Sequence, residues 1–173
     1  MGLGVALLAL GALVAAQGSS DRPAGYHVTD TVTLPGAGWD YLGIDAAAHR
    51  LYVSAGAQED VIDTRTNKLV GTVEGLKGTH GVGISDRDGH GFTSNGGSNS
   101  STEFDLKTLK VIKDIPLPIQ RPDGIIYDPA SDRIFYFNHD SAAAAVDAKT
   151  GEVAGTVTLP SKAAEFAAAD GRG

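Results

Sequence analysis

Short apolar segments alternate with polar turns along the chain from about residue 28 onward, and no segment keeps apolar residues at helical spacing. The most strand-like segments are LYVSAG at 51–56, GFTSNG at 91–96 and IFYFNH at 134–139. Each contains β-branched or aromatic residues and is flanked by Gly, Asp or Asn, which favour tight turns. The pattern therefore predicts an all-β protein made of short strands.

This strand pattern repeats with a period of about 42 residues. Each unit opens with an apolar strand that ends at a small or acidic residue, and these residues are 40, 43 and 42 positions apart. They are Asp45, Ser85, Asp128 and Asp170. An aromatic strand follows, then a third strand that ends in an aspartate, then a polar turn and a closing strand. The aspartates of the third strands are Asp63, Asp105 and Asp147.

Four antiparallel strands in a repeat of this length are typical of a β-propeller blade. The pattern predicts three complete blades at 39–76, 80–117 and 123–159, and the start of a fourth at 165–173. A β-sandwich whose strands are similar by accident is the alternative, and it does not explain matches at four points in every unit.

The pentapeptide TVTLP occurs at Thr31–Pro35 and again at Thr156–Pro160, three repeat units apart. In both places it falls at the closing strand of a unit, so the first copy is predicted to be an outer strand without its own blade. Because three and a quarter blades cannot close a ring, we expect this chain to be the N-terminal part of a longer protein whose remaining blades follow. A truncated gene, or a half-ring that closes by self-association, is the alternative.

Residues 28–173 resemble the YVTN-type, YncE-like β-propeller repeat family of bacteria. The resemblance lies in the LYVSAG and GFTSNG segments, in the Asp-x-x-Thr turns that begin at Asp63, Asp105 and Asp147, and in the GTV closing strands. It implies an exported protein with seven blades. It identifies the architecture and leaves the activity open.

The first twenty residues carry no charge, and the apolar run from Gly2 to Ala16 is shorter than a membrane span. Small residues at 14–16 followed by Gln17 predict a secretory signal peptide at 1–16 and a polar lead at 17–27, although no Lys or Arg precedes the apolar run. A buried apolar helix is the alternative. We therefore expect a periplasmic or extracellular protein without stable membrane insertion after cleavage, which its lack of cysteine fits.

The net charge of −7 and the lack of a basic cluster argue against binding to nucleic acid. The candidate site is instead the rim of the propeller channel. Five positions before each unit's anchor lies an ionisable residue: Asp40, His80, Asp123 and Glu165. Rotational symmetry places these groups at one mouth of the channel, where they could hold a metal or a cationic or polyhydroxylated ligand. Capping of strand ends is the alternative, and we expect side chains on neighbouring blades to be too far apart for direct coordination.

Loops between the second and third strands are predicted to lie on the same face and to add to this candidate ligand site. The residues concerned are Asn95, Asn138 and His139. Trp39, the only tryptophan, is predicted at the same rim, where it could stack on a sugar or other ring; packing between blades is the alternative. No catalytic motif or cofactor signature accompanies them, so the identity of any metal or cofactor stays open. The sequence favours a module that binds a small molecule or a protein. A propeller enzyme of the lactonase, quinoprotein-like or metal-dependent hydrolase type is the alternative, and a non-functional gene fragment is a third.

Overall fold

A computed structural model describes residues 25–162 and 164–172, so the predicted signal peptide at 1–16 and most of the polar lead lie outside the described residues. Contacts divide the chain into two compact units, Met1–Thr31 and Val32–Gly173. In the first unit, residues 25–31 are exposed and form no strand. In the part of the chain that the structure describes, no helix has the length and apolar character to cross a membrane.

The second unit contains eleven antiparallel strands and, among its described residues, no helix. The strands are β1 (Leu42–Asp45), β2 (Arg50–Ser54), β3 (Gly56–Asp63), β4 (Lys68–Ser85), β5 (His90–Asn95), β6 (Ser100–Asp105), β7 (Val111–Pro116), β8 (Ile125–Asp128), β9 (Arg133–Phe137), β10 (Ala142–Asp147) and β11 (Val153–Thr158). Each strand pairs with the next in the chain, apart from β7 and β8, which belong to different sheets. The all-β prediction is confirmed.

Strand β4 serves two four-stranded sheets. Its first part, Lys68–Glu74, pairs with β3, whereas its last part, which ends at Ser85, pairs with β5. Gly75 and Gly78, between the two parts, have φ values of +82° and +64°, a conformation that glycine adopts without strain. The eleven strands therefore form three successive four-stranded blades, which confirms the predicted partial propeller: blade 1 from β1 to the first part of β4, blade 2 from the second part of β4 to β7, and blade 3 from β8 to β11.

The aspartates that end the third strands hold the turns after them. Asp105 and Asp147 each accept hydrogen bonds from both the backbone N–H and the hydroxyl of the threonine three residues on, at 2.6–3.1 Å. In the first blade, the side chain and backbone of Arg65 donate to Asp63, and these bonds lower the pKa of Asp63 to about 2. The Asp-x-x-Thr repeat therefore fixes the turn that leads into each closing strand.

The hydrophobic core lies between blades. Tyr52, Val61 and Val73 of blade 1 pack with Phe104 and Leu106 of blade 2. A second cluster joins the other side of blade 2 to blade 3, where the buried hydroxyl of Tyr136 donates to Ser101 at 2.7 Å. Since neighbouring blades bury apolar faces against each other, blade-to-blade packing sets the positions of the strand ends at the rim.

Neither of the two predicted terminal segments forms a strand. The second TVTLP copy lies in outer strand β11 up to Thr158, whereas Thr31–Leu34 forms no strand and pairs with none of the described strands. Residues 165–170, predicted to begin a fourth blade, are also outside any strand. The backbone carbonyl of Glu165 nevertheless lies directly against Gly124, at a distance that a side chain on Gly124 would not permit.

Candidate functional site

Backbone hydrogen bonds fix the residues at or just before the start of the first strand of each blade. The N–H of Asp40 donates to Ser54 at 3.0 Å, and the N–H of Asp123 donates to Phe137 at 2.8 Å. The N–H of Tyr41 donates to the carbonyl of His80 at 3.0 Å, which joins blade 1 to blade 2. Asp40, His80 and Asp123 therefore project from anchored backbone at equivalent places in three blades.

The side chains of Asp40 and His80 are in direct contact. His80 Nδ1 lies 2.8 Å from Asp40 Oδ2, and both side chains are partly exposed. The opposite edge of the imidazole, which carries Nε2, faces the loop at Gly96. A Cβ placed on Gly96 would lie 2.7 Å from Nε2, so the ring occupies space that only a glycine leaves. His80 thus directs Nδ1 toward the carboxylates.

A second imidazole lies between two further carboxylates. His139, in the turn between β9 and β10, places Nε2 3.2 Å from Asp123 Oδ2 and 3.5 Å from Glu165 Oε1. Asp123 is the less exposed of these two acids. The predicted rim residues of the third and fourth repeats are therefore joined through His139.

Asp123 is also close to the first pair. One donor atom from each of Asp40, His80 and Asp123 can be chosen so that all three lie within 4.8 Å of one another. The expectation that neighbouring blades keep these groups too far apart for coordination does not hold in the structure. The backbones of blades 1 and 2 are joined here by the hydrogen bond from Tyr41 to His80, which keeps the side chains of Asp40 and His80 close together. We call Asp40, His80, Asp123, His139 and Glu165 the rim cluster.

The surroundings of Tyr41 show the sign of the charge at the rim cluster. Its hydroxyl donates to the backbone carbonyl of Glu165 at 3.3 Å. Burial raises the pKa of Tyr41, and the negative charges of Asp123, Asp40 and Glu165 raise it further. The region around the rim cluster is therefore acidic. Arg121 lines a cleft together with His80, Asp123 and His139, and its guanidinium lies 3.6 Å from the carboxylate of Asp140.

The other predicted site residues lie elsewhere. The buried amide of Asn95 bonds to Thr93 and Thr102 inside blade 2. Asn138 is also buried, and its side chain holds the turn around it through Gln120, Asp140 and Ala142. Both amides serve internal hydrogen bonds, and a role for them in ligand binding stays a prediction. Trp39 is 61% exposed.

A buried acid that sequence reasoning missed lies behind the rim. Glu59 accepts hydrogen bonds from Ser54 and Thr79 at 2.8–3.0 Å, and it is fully buried. Burial raises its pKa to about 7. Ser54 is the backbone partner of Asp40, and Thr79 directly precedes His80, so Glu59 links the strand that anchors Asp40 to the strand that carries His80. In the sequence, Glu59 lies in the polar run QED, which gives no indication of burial.

Comparison with known proteins supports the fold. No protein-family model matches the chain, and no curated protein sequence matches it. Among solved structures, Kuenenia stuttgartiensis hydrazine synthase is similar over 82% of this chain and 42% of its own, at 18% identity and a TM-score of 0.69. U3-55K and the WD40 repeats of RRP9 are each similar over 69% of this chain, at 7% and 8% identity and TM-scores of 0.62 and 0.63.

These identities are low, so the likeness concerns the fold alone. This chain spans about two fifths of each of those structures, covering 42%, 39% and 38% of them. The strand order and the likeness to WD40 repeats together establish a partial β-propeller.

Proposed function

We propose that this chain is part of an exported β-propeller of the YVTN-like type, and that the rim cluster binds a cationic ligand at the mouth of the channel. The observation that carries the proposal is the convergence of three carboxylates and two imidazoles from four repeats. Asp40, His80 and Asp123 approach within 4.8 Å, and His139 connects Asp123 to Glu165. Structural capping of strand ends does not require side chains of different blades to meet.

The charges at the rim determine the class of ligand. The rim cluster contains three carboxylates, and the cleft lined by His80, Asp123 and His139 also includes Arg121, which itself lies near a different acid, Asp140. The rim therefore has an excess of negative charge, which attracts cations and repels phosphate or carboxylate ligands.

The apolar N-terminal run of the sequence supports export, because it carries no charge and ends in small residues at 14–16.

The test is calorimetric titration of the purified full chain with three probes: Zn²⁺, Ca²⁺ and spermidine. We expect at least one probe to bind, and Asp123→Asn to weaken that binding about tenfold or more. Asp140→Asn is the matched control, since Asp140 is an acid next to the rim cluster that contacts Arg121 and is not a member of the cluster. If none of the three probes binds, or if both variants behave alike, the rim is not a cation site.

A propeller enzyme is the second candidate, and the His80–Asp40 pair is the observation that favours it. An imidazole oriented by a carboxylate is the arrangement of a general base. A turnover screen of lactones and glycosides, run with and without divalent metal, tests this candidate. Turnover that Asp40→Asn reduces would favour the enzyme, whereas binding without turnover favours the module.

A further inference from the structure

We infer that the rim cluster holds one divalent transition-metal ion of the Zn²⁺ class, with His80, Asp123 and Asp40 as its protein ligands. This inference rests on the proposed function, because it names the cation that the rim binds. It is carried by the direction of one imidazole nitrogen, by the spacing of the donor atoms and by the kinds of donor present.

The ring nitrogen available to a metal is Nδ1 of His80. Nε2 lies against the loop at Gly96, where an added Cβ would be only 2.7 Å away. Nδ1 faces the carboxylate of Asp40 at 2.8 Å. An ion on Nδ1 would thus lie directly beside a carboxylate oxygen of Asp40.

The donor spacing is close to that of a tetrahedral site. Donor atoms about 2.0–2.1 Å from a tetrahedral ion lie about 3.4 Å from one another. The three donors of the rim lie within 4.8 Å of one another, and the contact between His80 and Asp40 is 2.8 Å. Binding therefore requires the first pair to open slightly and Asp123 to close in. The partly exposed side chains can make these rotamer adjustments while their backbones stay anchored.

The donor types favour a transition metal over calcium. Calcium prefers six to eight oxygen ligands, whereas imidazole nitrogen suits zinc, copper, nickel and iron. One imidazole and two carboxylates leave an open position on a four-coordinate ion, which is the arrangement of an accessible site rather than a closed structural one.

A second imidazole, that of His139, contacts one of the proposed ligands, Asp123. His139 Nε2 lies 3.2 Å from Asp123 Oδ2 and so orients the carboxylate that must move. Imidazole and carboxylate groups that hold a ligand in this way raise metal affinity by about 10- to 100-fold in other proteins. His139 is therefore expected to act as a positioning residue.

The experiment is titration of the full chain with Zn²⁺ alone, in competition with a chromophoric chelator, for wild type and four variants. His80→Asn and Asp123→Asn remove ligands, whereas His49→Asn and Asp140→Asn remove a histidine and an acid outside the cluster. We expect one Zn²⁺ per chain in wild type and in both controls, and binding weakened about tenfold or more in the two ligand variants. Circular dichroism verifies that each variant is folded.

Cobalt gives an independent readout. Co²⁺ in a four-coordinate site with nitrogen and oxygen donors should give visible absorption that His80→Asn abolishes and His49→Asn leaves intact. Equal Zn²⁺ affinity in wild type and His80→Asn would overturn the inference, as would tighter binding of Ca²⁺ than of Zn²⁺. If spermidine binds in an Asp123-dependent way and Zn²⁺ does not, the metal inference fails while the cation site stands. If no probe binds, both fail.

Discussion

The imidazole of His80 in blade 2 contacts the carboxylate of Asp40 in blade 1, with 2.8 Å between Nδ1 and Oδ2. The two side chains are 35% and 40% exposed, so water competes for both groups. A partly exposed polar contact of this kind contributes little to folding because solvent competes for both groups and two side chains must be ordered. The contact therefore matters for the chemistry of the rim more than for its stability.

Removing this contact should leave the fold nearly unchanged. We expect Asp40→Asn and His80→Asn each to change the free energy of unfolding by less than about 1 kcal/mol. Urea unfolding followed by circular dichroism measures this. A loss well beyond that value would mean that the pair holds blades 1 and 2 together, which would favour the capping role over the binding role.

Gly96 should control the position of the His80 ring, because it lies against the edge that carries Nε2. A methyl group at residue 96 would lie 2.7 Å from Nε2 and would push the ring toward or past the carboxylates. We expect Gly96→Ala to weaken Zn²⁺ binding about tenfold while all ligands remain. Ser98→Ala, in the same loop, is the control and should bind as wild type does. Unchanged affinity in Gly96→Ala would show that the ring position is not decisive.

Glu59 should make stability depend on pH near neutrality. Its pKa is raised from 4.5 to about 7 by burial, so between these values the folded state holds more protons than the unfolded state. Stability from this group is therefore complete below about pH 4.5, falls as pH rises and is lost above about pH 7. We expect Glu59→Gln to remove about 2 kcal/mol of the decrease between about pH 5.5 and about pH 7.5.

Urea unfolding at the two pH values measures the difference, and Glu74→Gln is the control because Glu74 is exposed on the adjoining strand. The same pH dependence in Glu59→Gln as in wild type would show that Glu59 stays ionised throughout. A large loss of stability at both pH values would instead show that an amide cannot replace the hydrogen bonds of the carboxyl group with Ser54 and Thr79.

The repeat made the fold predictable from the sequence. Equivalent strands and Asp-x-x-Thr turns recur at fixed spacing, so one correct unit determines the others, and the same register placed Asp40, His80, Asp123 and Glu165 on one rim. Direct contact between them could not be predicted, because it depends on how closely the inner strands approach and on side-chain rotamers. The burial of Asn95 and Asn138 could not be predicted either, because an amide in a turn has the same sequence pattern whether it faces solvent or holds the turn.

Blade 2 contains a cross-strand pair in which a glycine lies opposite a large aromatic residue, whereas blade 3 has two residues of medium size at the equivalent positions. Gly91 lies opposite Phe104, whereas the equivalent pair in blade 3 is Ile134 opposite Val146. The ring of Phe104 occupies the space where a side chain on Gly91 would lie. We expect Gly91→Ile alone to cost about 3 kcal/mol by overpacking and Phe104→Val alone to cost about 2 kcal/mol by leaving a cavity.

The double variant reproduces the pair of blade 3 and should recover more than about 1 kcal/mol relative to the sum of the single losses. A double-mutant cycle in urea tests this. Strict additivity would mean that the two positions do not share one space in the core, contrary to the register between β5 and β6.

The apolar side of strand β1 should contribute little to the stability of this chain. Leu42 and Ile44 are 65% and 66% exposed, although their equivalents in blade 2, Val82 and Ile84, pack on the core shared by blades 1 and 2. The same side chains therefore differ in burial only because blade 1 has no preceding blade among the described residues. We expect Leu42→Ser with Ile44→Ser to change the free energy of unfolding by less than about 0.5 kcal/mol, and Val82→Ser with Ile84→Ser to cost about 3 kcal/mol or more. Urea unfolding at several protein concentrations compares the two double variants. Equal losses, with a stability of the wild type that rises with concentration, would show that another copy covers Leu42 and Ile44 in solution.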